Sequence, residues 1–353
     1  MPDSPSSTPR PPVGRLRKRI WIALCLLLTL VITTAGVWTG FALWFQLTAP
    51  MQIKVAAIVF LALAMLVAVR APWQRRQRRW KPVLWFALFF AGVLGWWSTF
   101  KPSHDRVWAD DVARLLHIDV DGSKVRLTNV RNFDWRSETD YTVRWENREY
   151  DLDHLVTADL VLSYWMGPAI AHTLVSFGFD DGRYLTFSVE IRKEKGENFS
   201  ALGGFFRKFE TVLVASDERD IVRVRTNVRG EDVYFYRLQV EPATLRKLFI
   251  GYAGEARKLE EAPAFYNTLT SNCTTIVFDL ARAINPQLPL DYRLLASGYL
   301  AEYAYDVGGL TPGFDYATLQ ARGRITGRAL AAGNDPRFSE LVRAGIPGVS
   351  PLK

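Results

Sequence analysis

The chain holds two cysteines, Cys25 and Cys273, and only the second lies where a thiol could act. Cys273 follows Ser271 and Asn272 and precedes Thr274, Thr275 and the apolar run Ile276-Val277-Phe278-Asp279-Leu280-Ala281. Ser271 or Asn272 can serve as the N-cap, so this order predicts a helix with Cys273 in its first turn. A thiol in a first helical turn feels the positive end of the helix dipole, which favours thiolate, the nucleophilic form. Cys25 falls inside a long apolar run and reads as a small buried hydrophobe, unable to pair with a cysteine in an aqueous domain.

A thiol nucleophile needs a base within hydrogen-bond reach, and the base needs a third group to set its tautomer. Four histidines are available. His104 lies close behind an apolar segment, His117 closes an expected short helix, and His154 sits on the acidic stretch Asp151-Leu-Asp-His. His172 opens a strand, Ala171 to Phe179, that the turn Asp180-Asp181-Gly182 joins to Tyr184–Ile191. If that loop has three residues with Gly182 in the left-handed conformation, Phe179 pairs with Arg183 and His172 stands opposite Glu190. Opposed residues share a sheet face with Cβ atoms about 5 Å apart, close enough for a carboxylate to orient an imidazole. A two-residue loop would shift the register by one and bring Ile191 opposite instead.

Each of these residues also has a plainer account. A histidine opening a strand is commonly a hydrogen-bonded structural residue, and a strand Glu near Arg192 is commonly half of a surface ion pair. Cys273, His172 and Glu190 are the candidate catalytic set. The backbone N–H of Cys273, the Asn272 side chain and Thr274 are candidates for oxyanion or local support, and Ser188 and Arg192, on the polar face of their strand, for substrate contacts. Asp217-Glu218-Arg219-Asp220 reads as a turn with internal ion pairs, followed by a strand at Ile221–Thr226 on which Arg223 and Arg225 share a face. No metal-ligand spacing, phosphate-cradling glycine loop or dinucleotide fingerprint is visible, so no cofactor is expected.

The elements that carry these residues follow a sharp change in composition. Residues 1–101 hold 13 Lys and Arg against one acid, whereas the remaining 252 carry 31 basic and 35 acidic groups. The net charge of +8 is therefore a membrane-topology signal and no nucleic-acid footprint, and no nucleic-acid partner is expected. Residues 1–19 read as a disordered basic tail. Ile20 to about Phe45, about Ile53 to Val69, and Pro82 to about Thr99 read as three spans of a bilayer. Basic residues before the first span and in the loop Arg70–Lys81 place the N-terminus in the cytoplasm. Everything after Phe100 is then outside, beside the inner membrane of a bacterium. From residue 101 the pattern is that of an α+β domain on an antiparallel sheet. It has a short helix at Trp108–Leu116, strands at 125–130, 141–145, 211–215 and 233–240, a helix from Pro242 to about Lys258, and a looser tail after Asn285 that ends in a short segment, 346–353.

Taken together, Lys101-Pro-Ser-His-Asp-Arg-Val-Trp108, Asn129-Val-Arg-Asn-Phe-Asp134, Tyr164-Trp165, Ala171-His172-Thr173, Ser176-Phe-Gly-Phe179, Ser188-Val-Glu190-Ile-Arg192, Asp217-Glu-Arg-Asp220, Tyr266-Asn-Thr-Leu-Thr-Ser-Asn-Cys273-Thr-Thr275 and Asp291-Tyr-Arg293 resemble the Lnb N-terminal periplasmic domain family over roughly residues 101–345. The resemblance implies a papain-like thiol fold in circularly permuted order, with Cys273 as nucleophile, His172 as base and Glu190 as the orienting residue. It also implies N-acylation of bacterial lipoproteins through a thioester, with membrane lipids and lipoproteins as partners. A thiol hydrolase of cell-wall peptides or lipid esters and a non-catalytic membrane scaffold are the alternatives.

Overall fold

The computed structural model describes residues 13–74 and 80–349, in two compact units that divide between Lys101 and Pro102. The first unit is three helices: α1 (Val13–Gln46), α2 (Met51–Arg70) and α3 (Trp80–Ser98). All three are long and apolar enough to cross a bilayer, with windows of mean hydropathy 2.4, 2.4 and 1.2. Only a narrow seam is buried among them, centred on Ile32, Leu61, Ala68 and Phe86. Many other apolar side chains, among them Leu24, Leu27, Phe60, Leu63 and Trp85, are exposed, as lipid-facing residues are. A Cβ on Gly36 would collide with the Met65 sulfur, so this glycine is what lets α1 and α2 approach. The expected disordered tail is shorter than 19 residues, because α1 already includes Arg17, Lys18 and Arg19. Their straight-chain side chains are good helix formers and extend the span toward the N-terminus. Residues 1–12 and the basic run 75–79 lie outside the described residues.

The second unit is built on an eight-stranded, mostly antiparallel sheet. Its strands are β1 (His117–Asp121), β2 (Lys124–Arg131), β5 (Trp145–Asp151), β6 (Leu155–Tyr164), β7 (Ala171–Phe179), β8 (Tyr184–Arg192), β9 (Glu210–Ser216) and β10 (Asp232–Arg237). The small ladder β3 (Asp134–Trp135) with β4 (Tyr141–Thr142) stands apart. The order is β1-β2-β9-β8-β7-β6-β10, with β5 on β2, and β2 meets β9 through one parallel pair. The β7–β8 hairpin has the three-residue loop: Phe179 donates to the Arg183 carbonyl at 3.0 Å, and Gly182 sits at φ +83°. The ladder pairs Leu174 with Ser188 and Gly178 with Tyr184, the register that puts position 172 level with position 190.

The central strands are covered on both faces, which is why β7 is buried along almost its whole length. Val175, Phe177 and Phe187 pack against Phe249 and Tyr252 of a long helix, with Phe187 stacked on Tyr252 at 4.8 Å. That helix follows two short ones, α4 (Ala201–Phe205) and α5 (Glu218–Arg223), and is α6 (Pro242–Glu261). Each ring so buried contributes about 1.5–3 kcal/mol. Beside it lies α7 (Cys273–Ile284). On the opposite face Val161, Leu174 and Phe235 pack against Ile221 and Val222 of α5 and against Phe338 and Val342.

Three segments differ from the sequence reading. Trp108–Leu116 holds a single turn at Asp110–Val112, not a helix, and His117 opens β1, where it pairs with Glu260 at 2.9 Å. The region after Asn285 forms four short helices, α8 (Leu300–Asp306), α9 (Tyr316–Gly323), α10 (Thr326–Ala332) and α11 (Phe338–Arg343). Ile346, expected in the terminal segment, belongs to the core. Most consequential, Ile221–Thr226 is helical and not a strand. The β-branched residues suggested extension, but Asp217 accepts the Arg219 N–H as an N-cap, and α5 runs into a π-helical turn at Val224–Val228. Nor are the acids of Asp217-Glu-Arg-Asp220 chiefly paired among themselves. Asp220 takes Arg131, the Phe133 N–H and the Trp135 indole, while Glu218 takes Arg343.

Arg343 is 1 % exposed and joins Glu218 at 2.6 Å to Asp159 at 2.8 Å, linking α11 to β6 and α5. Replacing it with methionine roughly keeps the volume but leaves the buried Glu218 without a counter-charge and Asp159 with Arg237 alone. Arg343→Met is expected to destabilise the outer unit by about 3–5 kcal/mol, read as a lowered Tm of the full chain in detergent micelles.

Candidate active site

The site forms at the end of the sheet where β7 begins and β8 ends. It draws one group from each covering layer. On one side, the segment before α7 is a tight loop in which Asn267 and Ser271 exchange backbone hydrogen bonds at 3.1 and 3.0 Å. Asn272 then caps α7: its Oδ1 accepts the N–H groups of Thr274 at 2.8 Å and Thr275 at 2.9 Å, and the Thr275 hydroxyl accepts the Asn272 N–H. This reciprocal cap fixes Cys273 as the first residue of the helix. Among the described residues no acceptor is paired with the Cys273 N–H, which leaves it available to an oxyanion.

Across from it, the imidazole of His172 shares one cavity with the Cys273 thiol, and each group shifts the pKa of the other. His172 Nε2 also meets the Ser188 hydroxyl at 2.7 Å, and that hydroxyl donates to Glu190 Oε1 at 2.9 Å. Because Ser188 gives its proton to the carboxylate, its oxygen accepts from Nε2–H, which requires a proton on that nitrogen. The direct separation of His172 Nε2 and Glu190 Oε1 is 3.6 Å. From the other layer, Arg225 Nη2 reaches the same Oε1 at 2.8 Å. Arg225, Glu190, Ser188 and His172 are thus joined by continuous hydrogen bonds that end beside Cys273.

The protonation states follow. Burial pushes the Cys273 thiol up, yet the His172 imidazolium and hydrogen bonds from the Thr173 N–H and Thr274 hydroxyl hold it below the ordinary thiol range. For His172, burial and then Arg225 oppose the charged form. The Cys273 thiolate and hydrogen bonds to Cys273 and Glu190 outweigh them, and the pKa is pushed up to about 9. Glu190 is held well below the usual carboxylate range against its burial, chiefly by Arg225 and then by His172 and Arg131. A thiolate–imidazolium pair at a helix N-terminus is a primed nucleophile.

Cys273, His172 and Glu190 line one cavity of about 520 Å³ together with Arg225, Tyr266 and Thr274. The structure reassigns the other sequence-predicted residues. Asn272 lies at the cavity as the cap of α7, with Oδ1 committed to the helix and one Nδ2 hydrogen donated to the Thr268 carbonyl at 2.7 Å. Thr274 gives its N–H to that cap and pairs its hydroxyl with Thr173 at 3.0 Å, supporting the thiol from beside it. Ser188 is buried inside the hydrogen-bonded chain and so touches the imidazole, not a substrate. Arg192 does not line the cavity. It lies over the Trp108 ring at 4.4 Å, donates to the carbonyls of Val112 and Ala113, and burial pulls its pKa down to about 10. Arg225 was missed as a site residue because a strand reading put it on a surface stripe, and Ser188 was not seen as a bridge. The only sequence signal for Arg225 was the capping aspartate, Asp217, that makes its segment helical. The other histidines are engaged elsewhere: His104 with the Glu260 carbonyl, His117 with Glu260 and His154 with Asp180.

An α+β domain with a buried, hydrogen-bonded Cys/His/Glu set, preceded by three apolar helices, defines a membrane-anchored protein of thiol-site type. Residues 141–298 match the family model of the Lnb N-terminal periplasmic domain, and with the three apolar helices before them they support a membrane-anchored extracytoplasmic domain. The matched stretch contains Cys273, His172, Glu190 and Arg225. No curated protein and no solved structure matches the chain.

The ion pair makes a prediction about Cys273 itself. With His172 present, the thiolate persists below the ordinary thiol range, so iodoacetamide should alkylate Cys273 at near-maximal rate at neutral pH. In His172→Ala the inflection should rise toward the ordinary thiol value of about 8.5, since burial is then opposed only by the hydrogen bonds from Thr173 and Thr274. Alkylation rates against pH, followed by mass spectrometry of the Cys273 peptide, check this; unchanged profiles in the two proteins would contradict the pairing.

Proposed function

We propose that this chain is a cysteine acyltransferase of the bacterial inner membrane, with its N-terminus in the cytoplasm and its thiol domain in the periplasm, and that it N-acylates lipoproteins through a thioester. The observation that carries this reading is the placement of Cys273 at the capped start of α7 in one cavity with the His172, Ser188 and Glu190 relay, within a stretch that matches the Lnb N-terminal periplasmic domain. The permuted papain-like arrangement is consistent with it, since the strand histidine precedes the helix cysteine in the chain.

In the first half-reaction the Cys273 thiolate attacks an ester carbonyl carbon. The oxyanion forms against the Cys273 N–H, and the C–O bond breaks as His172 gives its proton to the leaving alkoxide. The acyl group is then a thioester on Cys273. In the second, the neutral imidazole takes a proton from an attacking amine, the C–N bond forms, and thiolate leaves with the imidazolium beside it. Ser188 and Glu190 keep Nε2 fixed through both steps, and Arg225 keeps Glu190 ionised. Water in place of the amine would make the same thioester a hydrolase intermediate, so the acceptor separates the two activities.

Cys273→Ala should abolish N-acylation, leaving lipoprotein N-termini with a free α-amine in mass spectra from a strain that has no other such activity. Unchanged N-acylation would overturn the reading, and altered muropeptides with normal lipoproteins would assign the chain to cell-wall hydrolysis. For the topology, a phosphatase that is active only outside the cytoplasm should be active when fused after Phe100 and inactive when fused after Arg70.

A further inference from the structure

The mouth of the Cys273 cavity is rimmed by large apolar side chains that stand in solvent. Trp165, Met166, Phe199 and Leu295 line the cavity itself, and Leu202 and Leu269 adjoin lining residues. Leu295 is 60 % exposed and Met166 54 %, far more than single core-facing residues would be. They come from four separate segments, after β6, after β8 and into α4, before α7, and within Tyr292–Leu295. The Trp165 ring lies edge-on to Phe199 at 5.2 Å. Contiguous apolar patches of this kind mark interaction surfaces, and loop-tip Trp, Phe and Leu around a pocket suit an interface that is apolar within and polar at its margin.

The outer unit also says which partner this end meets. Its first residues are tied to the same end of the sheet: the Ser103 N–H donates to Glu210, which opens β9, and Lys195 donates to the Val107 carbonyl while Ala109 donates to that of Lys193. Only residues 99–101 separate Pro102 from α3, which is long and apolar enough to span a bilayer. The hairpin tip Asp180–Gly182 lies at the opposite end of β7, where the surface is charged.

We propose that this rim docks onto the surface of a lipid bilayer, with Trp165, Phe199, Leu202 and Leu295 sinking among the acyl chains beneath the headgroups. The cavity mouth would then open into lipid, so that an acyl ester reaches Cys273 without crossing water. The docking rests on the exposed rim and the attachment end, and does not require acyl transfer to be the reaction.

The test uses the full chain in nanodiscs of phosphatidylethanolamine and phosphatidylglycerol, with Cys25→Ala and Cys273→Ala removing the native thiols. A polarity-sensitive fluorophore is attached at Leu295→Cys, at Leu202→Cys in a second variant, and at Asp181→Cys on the hairpin tip. With brominated acyl chains in the disc, quenching at positions 295 and 202 should exceed that at 181 about threefold, because interfacial apolar groups sink only about 5–10 Å and bromine quenches on contact. Equal quenching at all three positions overturns the proposal. So does a blue-shifted emission at 295 without quenching, which would mean that protein and not lipid covers the rim. Since these proteins lack the thiol, neither outcome depends on whether the chain transfers acyl groups.

Discussion

The arrangement around Cys273 depends on one buried anion. Glu190 sits on a central strand at the end of the sheet, largely removed from water, and its charge persists because Arg225 reaches its Oε1 at 2.8 Å from the helical layer. An isolated carboxylate there would take a proton, and the hydroxyl of Ser188 would have no anion to donate to. The imidazole of His172 would lose the bridge that fixes Nε2, and the thiolate its partner. Hydrogen bonds run from Arg225 through Glu190 and Ser188 to His172 beside Cys273, and each member is stabilised by its neighbours; removing one leaves another uncompensated in a poorly solvated place.

The counter-cation Arg225 and the thiol are supplied by opposite layers. Along β7 the side chains alternate, so Val175 and Phe177 join the core under α6 while Leu174 joins the core under α5. His172 lies at the start of the strand, where both layers end and a side chain can reach around the sheet. Cys273 arrives from the layer of α6 and α7, and Arg225 from the π-helical turn after α5. A π-helical turn carries one extra residue, which changes the direction in which the following side chains leave the helix. The position of Arg225 therefore depends on local helix geometry as much as on the sheet.

Much of this was legible in the residues themselves. Ser271-Asn272-Cys273-Thr274-Thr275 contains its own capping chemistry, so the helix start and the placement of the thiol in its first turn could be read locally. The hairpin register was equally local, because a three-residue loop with glycine at its left-handed position determines every pair in the two strands. The three apolar helices needed only length and composition. What failed was Ile221–Thr226. A run of β-branched residues with alternating arginines has the pattern of a strand, and its capping aspartate was hidden among four consecutive charged residues.

By itself, then, the sequence determined the elements whose signals lie within a few residues: the spans, the β7–β8 register and the capped start of α7. These follow from backbone conformational limits and from periodic burial, which act over one turn or one hairpin. Only the tertiary structure decided that Ser188 lies between His172 and Glu190, that Arg225 balances that carboxylate, and that Arg192 belongs to Trp108 and not to the cavity. Such assignments depend on which buried charge meets which counter-charge across the layers. Cys273, first singled out as a thiol at a helix start, stands in the folded domain at the end of a hydrogen-bonded relay that begins 48 positions earlier, at Arg225.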